Sequence, residues 1–240
     1  MVTLGGFVIV AIAIAPAIAW LFFFLREDLH PEPRRLLILA FCFGALMSIP
    51  VLGMQMLFQN LVEYTVQNLI VLVFGLALIE ELFKFLAAYL AVRRESAFDE
   101  PVDAMVYPVV AALGFATIEN VFIAGGIFRG WNWEASIALS AQTMLLRLVG
   151  ATLLHALTAA IIGYFWAIGI RAARVIGAER GGSERRRFIA LGIWIATIVH
   201  ALFNLLVFRF QAHSLVFPSI FLVLVAFFVL EDFEELKGEA

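Results

Sequence analysis

The feature that most constrains this chain is the apolar segment Leu69–Val92, which carries three charged residues near its middle. A helix needs about 20 apolar residues to cross a membrane, and this segment is long enough to do so. Glu80, Glu81 and Lys84 stand close together inside it, although one charge at the centre of a membrane helix costs about 2.5–3.5 kcal/mol on insertion scales. These groups must therefore pair, take up protons or line a wet cavity, and the rest of the chain must supply what they face.

Composition indicates an integral membrane protein. The 240 residues are 64% hydrophobic and 15% charged, with a mean hydropathy of +1.01, whereas soluble domains are about 45–50% apolar. The sequence has no glycine-rich phosphate loop and no basic run interleaved with aromatic residues, which argues against nucleotide or nucleic acid as a partner. Cys42 is the single cysteine, so an internal disulfide and a multi-cysteine metal site are excluded.

The pattern of apolar runs predicts an all-α integral membrane protein of about seven transmembrane helices, folded as a single polytopic domain over residues 1–240. The first run is longer than the apolar part of a signal peptide and follows no Lys or Arg, so we expect it to be retained as a helix. Residues 136–146 are predicted to be an interfacial or re-entrant lead-in to the fifth span. Stretches 59–68 and 171–187 are predicted loops, and the acidic tail from residue 231 is expected to be frayed. The predicted spans are residues 4–25, 36–58, 69–92, 104–128, 148–170, 188–208 and 215–230.

The distribution of Lys and Arg predicts the orientation. Twelve of these residues fall in the first, third and fifth loops and the C-terminal tail, whereas the opposite loops hold only Arg129 and Arg209. By the positive-inside rule the richer side is cytoplasmic. The N-terminus is then outside and the C-terminus cytoplasmic, and the expected location is the cell membrane, as a multi-pass protein.

Four ionisable residues on four different predicted helices fall at a similar depth. At about 1.5 Å of rise per residue, Glu80, Glu119, His155 and His200 lie roughly 11–16 Å from the outer ends of their helices. Glu80 and Lys84 are four residues apart, which places them on one face of the helix and allows them to pair. Glu81 points about 100° away from that face, towards a neighbouring helix. His200 and Asn204 have the same spacing. A carboxylate beside a histidine in a dry site is suited to activating water.

Each of these groups also has a purely structural interpretation. Lys84 could simply neutralise Glu80, and Glu119 with Asn120 could hydrogen-bond between helices, a contribution of about 0.6 kcal/mol per bond. A lone buried histidine is commonly structural, and Arg147 could reach up to the outer headgroups. The coincidence of three carboxylates and two histidines at one depth is what favours a functional centre.

Four motifs in series give the chain a family resemblance. They are Glu80-Glu81-x-x-Lys84, Phe115-x-x-x-Glu119-Asn120, His155-Ala156-Leu157 followed by Gly163-Tyr164, and His200-x-x-x-Asn204. Together they resemble the PrsW family of intramembrane proteases, within the superfamily of CAAX prenyl endopeptidases and bacteriocin-immunity membrane proteins. The resemblance covers about residues 69–206, and we expect a catalytic core at about 69–208. Residues 99–107 also resemble the family's approach to its second motif, with Ala104 where glycine is usual.

The resemblance implies hydrolysis of a peptide bond in or near the transmembrane segment of a membrane-anchored protein substrate within the lipid bilayer. It implies that Glu80 and Glu81 activate the water, that His155 or Glu119 orients it, that His200 and Asn204 stabilise the oxyanion, and that Lys84 sets the carboxylate charge. Asn120 completes the expected catalytic set.

The absence of an H-E-x-x-H helix, together with the resemblance to the CAAX prenyl endopeptidases, favours a metal-free glutamate mechanism over a metal-dependent one. If the mechanism depends on metal, zinc is the expected ion and Glu81, Glu119, His155 and His200 are the expected ligands.

Two other classes of function use buried charges. A proton-coupled transporter places Glu, Lys and His along an ion pathway, but it would be expected to show matched interrupted helices in its two halves, which this sequence lacks. A non-catalytic membrane scaffold could retain the same polar centre, and it would tolerate Glu81→Gln.

Overall fold

The computed structural model describes residues 2–28, 30–127, 133–210 and 215–238, and over these residues the chain is helical, without a β-strand. The helices are α1 (Val2–Phe24), α2 (Arg34–Thr65), α3 (Leu69–Val92), α4 (Asp103–Ile127), α5 (Trp133–Val149), α6 (Ala151–Ile176), α7 (Ala178–Phe210) and α8 (Val216–Lys237). The predicted all-α fold is therefore confirmed.

Most of the helices are long and apolar enough to cross a membrane. Six segments of the described residues meet this criterion of length and composition, with α5 and α6 counted together as Glu134–Ile176. Helix α3 is 24 residues long and differs from them by its three central charges. Counting α3 as a crossing gives the seven predicted spans, and α5 is the helical lead-in to α6. The protein is a multi-pass membrane protein, whose outward faces expose large apolar side chains such as Phe7, Leu57 and Phe228.

Helix α4 lies at the centre of the bundle, because nearly all of its residues up to Thr117 are buried. Two glycines let α2 approach it closely. A Cβ atom on Gly44 of α2 would lie 1.8 Å from the carbonyl oxygen of Ala111, and one on Gly114 of α4 would lie 2.0 Å from that of Phe41. Small residues at such crossings allow membrane helices to pack backbone against backbone. This contact fixes α2 beside the helix that carries Glu119.

Two stretches predicted as loops are largely helical in the structure. Helix α2 runs through the predicted loop to Thr65, since residues 59–65 contain no helix breaker and Gln59 Nε2 donates to Glu63 Oε1 over 3.0 Å. The basic stretch 171–187 extends α6 and begins α7, interrupted at Gly177, whose φ of +89° favours glycine. Arginine is a good helix former, so a polar composition did not end these helices.

The acidic C-terminal stretch is not frayed as far as Lys237, where α8 ends. Phe233 and Leu236 are fully buried in the core. Lys237 Nζ donates to Glu27 Oε2 over 2.5 Å and to Glu234 Oε1 over 2.7 Å, which ties the end of α8 to the loop after α1. The burial of these two apolar side chains, which are three residues apart, thus keeps the acidic stretch helical despite its charges.

The loop between α1 and α2 is joined to α4 by a second polar group of residues. Tyr107 of α4 donates its hydroxyl hydrogen to Glu32, which lies just before α2. Asp103 accepts the backbone N–H groups of Asp99 and Glu100 at 3.0 and 2.9 Å, which closes the turn into α4. Burial raises the pKa of the Glu32 carboxyl, an effect that the Tyr107 hydrogen bond opposes. These contacts lie at one end of the bundle and set where α4 starts.

Candidate functional site

Helix α3 brings three charged residues into the interior. Its start is fixed by Asn68, whose side chain accepts the N–H groups of Ile70 and Val71. From there the apolar sequence continues as helix, and Glu80, Glu81 and Lys84 face other helices rather than lipid, with exposed fractions of 7%, 0% and 0%. Charges buried this completely require partners.

Glu80 lies opposite two histidines from two other helices. Its Oε2 is 3.9 Å from His155 Nδ1 of α6 and 3.6 Å from His200 Nε2 of α7. The same oxygen is buried and has no hydrogen-bond partner, whereas Oε1 accepts a hydrogen bond of 2.6 Å from Gln55 Nε2 of α2. Four helices thus converge on one carboxylate. The meeting of Glu80 with His155 and His200 was predicted from their similar depths, and the contribution of α2 was not.

The two histidines are each held by a second carboxylate, on the ring nitrogen that does not face Glu80. His155 Nε2 lies 3.0 Å from Glu119 Oε2, and His200 Nδ1 lies 2.6 Å from Glu81 Oε1. A carboxylate on the far nitrogen fixes the orientation of an imidazole and raises the basicity of its other nitrogen. Glu81 and Glu119 therefore orient the two rings towards Glu80.

Lys84 pairs with Glu81 rather than with Glu80, so the pairing expected from the spacing of four is wrong. Its Nζ donates to Glu81 Oε1 over 2.6 Å and to Thr158 Oγ1 over 3.1 Å, and it lies 3.2 Å from His155 Nδ1. Residues three apart on a helix are neighbours as much as residues four apart. The two contacts on α6 draw the ammonium towards the side of Glu81.

Arg147 of α5 links the second motif to the lead-in helix. Its Nη2 donates to Glu119 Oε2 over 2.7 Å, and its Nε donates to Asn120 Oδ1. Asn120 in turn lies with Nδ2 at 3.3 Å from Thr152 Oγ1 of α6. Arg147 therefore points into the network, where it positions the carboxylate that holds His155.

Most of the residues singled out in the sequence come together. Seven of them form this connected network: Glu80, Glu81, Lys84, Glu119, Asn120, His155 and His200. Asn204 lies one turn beyond His200 and is half-buried, and no hydrogen bond joins it to the network within the described residues. Its expected role in binding the oxyanion stays a prediction.

Sequence reasoning did not assign Gln55, Thr152 or Thr158 to the site, and it left the role of Arg147 open. Gln55 carried a usable signal, because a side-chain amide inside a membrane span is costly unless it has a partner. Thr152 and Thr158 flank His155 by three residues on either side, a helical spacing that places all three near one face. Threonine is too common in membrane helices for that spacing to stand out alone.

The donor atoms fit a metal ion. One ligand atom each from Glu80, His155 and His200 lies within 4.8 Å of the others, and all three residues are buried. This group keeps the two expected histidines but replaces Glu81 and Glu119 with Glu80, because those two carboxylates hold the far nitrogens of the rings. Two histidines and one carboxylate form a known catalytic zinc set, in which a fourth position stays open for water. The unpartnered Oε2 of Glu80 is the atom that such an ion would satisfy.

Comparison with known proteins agrees with this geometry. The family model described as PrsW family intramembrane metalloprotease matches residues 32–230, which include every residue of the network. The chain belongs to the PrsW family. It is 27% identical over 221 residues to a protein named Protease PrsW from Oceanobacillus iheyensis, covering 90% of each chain. It is 24% identical over 239 residues to Protease PrsW from Geobacillus kaustophilus, covering 98% of this chain and 94% of that one.

A third relative, Protease PrsW from Bacillus subtilis, is 23% identical over 201 residues, which are 82% of each chain. No solved structure matches this chain. The resemblance read from the four motifs is thus confirmed for the PrsW family, and the match extends well outside the motifs in both directions.

Proposed function

We propose that this PrsW-family chain is an intramembrane endopeptidase that hydrolyses a peptide bond in or beside the transmembrane segment of a membrane-anchored protein, and that Glu80, His155 and His200 hold a catalytic zinc ion. The observation that carries the proposal is the arrangement of both histidines. Each has a carboxylate on its far nitrogen and faces the unpartnered oxygen of Glu80 with its near nitrogen.

The bound ion would supply a water of lowered pKa and would polarise the scissile carbonyl. The chain's own residues provide the rest. Glu81 orients His200 through Oε1 and offers its second oxygen, buried and without a hydrogen-bond partner, as the acceptor for the proton of the water. Lys84 compensates the charge of Glu81, and Arg147 compensates that of Glu119.

A metal-free glutamate mechanism is the second candidate, and one contact favours it. Lys84 Nζ lies 3.2 Å from His155 Nδ1, the nitrogen that a metal would use. In this mechanism Glu80, held by Gln55, takes the proton of the water directly, and the histidines orient the water. Both candidates perform the same hydrolysis at the same site, and they differ in metal content and in whether Glu81 or Glu80 takes the proton of the water.

The test measures zinc content and cleavage together. Full-length wild type, Glu80→Gln and the control Glu63→Gln are purified into proteoliposomes with a panel of tagged single-span membrane proteins. Glu63 is an exposed glutamate near the end of α2, far along that helix from Gln55, so the control makes the same chemical change outside the site. We expect about one zinc per chain in wild type and control, loss of zinc in Glu80→Gln, and a loss of cleavage on the order of 10²–10⁴-fold.

Each outcome assigns the mechanism. Cleavage that a strong chelator abolishes and added zinc restores supports the metal site. Cleavage by a zinc-free enzyme, indifferent to chelator and lost in Glu80→Gln, supports the glutamate mechanism. Equal cleavage by Glu80→Gln and wild type contradicts both, and would remove Glu80 from the catalytic centre.

A further inference from the structure

A cavity separate from the proposed catalytic network lies at the end of the bundle where the chain's Lys and Arg are concentrated. It has a volume of about 370 Å³ and is formed by the end of α3, the loop before α4, the last turns of α6 and the first turns of α7. None of the proposed catalytic residues lines it. The motifs that identify the family also leave it unexplained.

Five arginines from three chain segments line this cavity: Arg93, Arg94, Arg171, Arg174 and Arg185. The carboxylates that line it are Asp99 and Glu100, and Glu100 Oε1 already lies 2.8 Å from His30 Nδ1. Across the described residues, no carboxylate lies within ion-pair distance of Arg93, Arg94, Arg174 or Arg185. The cavity thus holds an excess of positive charge that the chain itself does not neutralise.

The wall of the cavity is partly aromatic and closely packed. Trp166 of α6 is 2% exposed and stacks on Phe98 of the loop, with ring centroids 4.7 Å apart. Tyr89 packs against Trp166 at 5.9 Å, and the Arg93 guanidinium lies 5.7 Å from the centre of the Tyr89 ring. The arginines therefore project from a packed scaffold, which lowers the entropic cost of holding them around a ligand.

The spacing of α6 and α7 also holds the arginines in place. A Cβ atom on Gly169 would lie 3.1 Å from the carbonyl oxygen of Arg185, so the two helices are in backbone contact beside the cavity. This contact positions Arg171 and Arg174 on one wall opposite Arg185 on the other.

We propose that this cavity binds a phosphate group, and that its source is the headgroup of an anionic phospholipid or a soluble phosphate compound. Guanidinium groups bind phosphate oxygens in a bidentate geometry, and basic pockets between membrane helices bind anionic headgroups. The site is independent of the proposed proteolysis, because it shares no side chain with the network around Glu80.

The test compares two double variants of equal charge change. The cavity variant, Arg174→Gln with Arg185→Gln, removes one cavity arginine from α6 and one from α7. The control, Arg186→Gln with Arg187→Gln, removes two exposed arginines of α7 that do not line the cavity. Each full-length protein is released from mixed phosphatidylcholine and phosphatidylglycerol micelles, and retained phosphatidylglycerol is counted by native mass spectrometry. In parallel, inorganic phosphate is titrated against the thermal stability of each protein in pure phosphatidylcholine nanodiscs.

We expect the cavity variant to retain on the order of tenfold less phosphatidylglycerol than wild type, and the control to match wild type. That result assigns the lipid source. Stabilisation by inorganic phosphate in wild type and control, absent in the cavity variant, assigns the soluble source. Equal losses in both double variants, or no loss of either phosphatidylglycerol or phosphate stabilisation in the cavity variant, would show that the cavity has no phosphate site and would overturn the proposal.

Discussion

Gln55 is the clearest single-residue support of the proposed centre. Its amide donates to Glu80 Oε1 over 2.6 Å, which leaves Glu80 Oε2 facing the two imidazoles. Hydrogen bonds of this kind orient a metal-binding or catalytic carboxylate, and losing one usually costs 10–100-fold in metal affinity or activity. Gln55 therefore acts through Glu80 as a positioning residue.

Gln55→Met keeps the length of the side chain and removes the donor. We expect zinc affinity or the cleavage rate to fall by about 10–100-fold, because Glu80 loses the contact that orients it. Gln59→Met is the matched control one turn further along α2, where the side chain is exposed and bonds only to Glu63. Zinc titration and initial cleavage rates of the two variants are compared with wild type. Equal values for Gln55→Met and wild type would remove Gln55 from the site.

The sequence predicted which residues form the site better than it predicted which of these residues pair with one another. Glu80, Glu119, His155 and His200 could be placed together from depth alone, because a charge inside a membrane span needs a partner at the same height. The partner of Lys84 could not be derived, since Glu80 and Glu81 are both within reach on α3 and the choice is made by Thr158 and His155 on α6. Spacing along one helix says nothing about the neighbouring helix.

At the scale of the helices, the crossing of α2 and α4 sets the position at which Gln55 of α2 contacts Glu80.

The boundaries of α3 were predicted in full, because the apolar run is bounded by the cap at Asn68 and by the charged loop after Val92. The ends of α2, α6 and α8 were not, because polar residues that form good helices do not mark where a membrane span stops. Packing contacts between helices supply that information.

Gly44→Ala is expected to weaken the α2–α4 crossing. The added Cβ would lie 1.8 Å from the Ala111 carbonyl oxygen, and since the obstacle is backbone, the helices must separate. Overpacking of this kind costs about 1–3 kcal/mol, which lowers the melting temperature by roughly 3–10 °C for a chain of this size. Gly53→Ala on the same helix is the control, because its Cβ would meet no atom within 4 Å. Thermal unfolding in detergent should show a loss for Gly44→Ala and none for Gly53→Ala, and equal melting temperatures would contradict the close crossing.

Across the whole molecule, α3 and α6 connect the proposed catalytic centre to the arginine-lined cavity. The catalytic candidates lie near the middle of α3 and near the start of α6, and the cavity residues of both helices lie further towards the C-terminal ends. On α6, His155 and Trp166 are about 16 Å apart along the axis. The centre lies within the apolar thickness of the bundle, and the cavity lies where the charged loops begin. The orientation of the chain decides which side of the membrane that cavity faces.

Lys and Arg are concentrated in the loop between α1 and α2, in the loop between α3 and α4, and at the adjoining ends of α6 and α7, which predicts that this side is cytoplasmic. In a Cys42→Ser background, which removes the single native cysteine, Thr65→Cys marks the outer end of α2 and Ser183→Cys marks the start of α7. Both positions are exposed, so both should react with a membrane-impermeant maleimide once cells are opened. In intact cells we expect labelling at residue 65 and none at residue 183, because only the first faces outwards. The reverse pattern would invert the topology and would place the phosphate cavity on the outer surface.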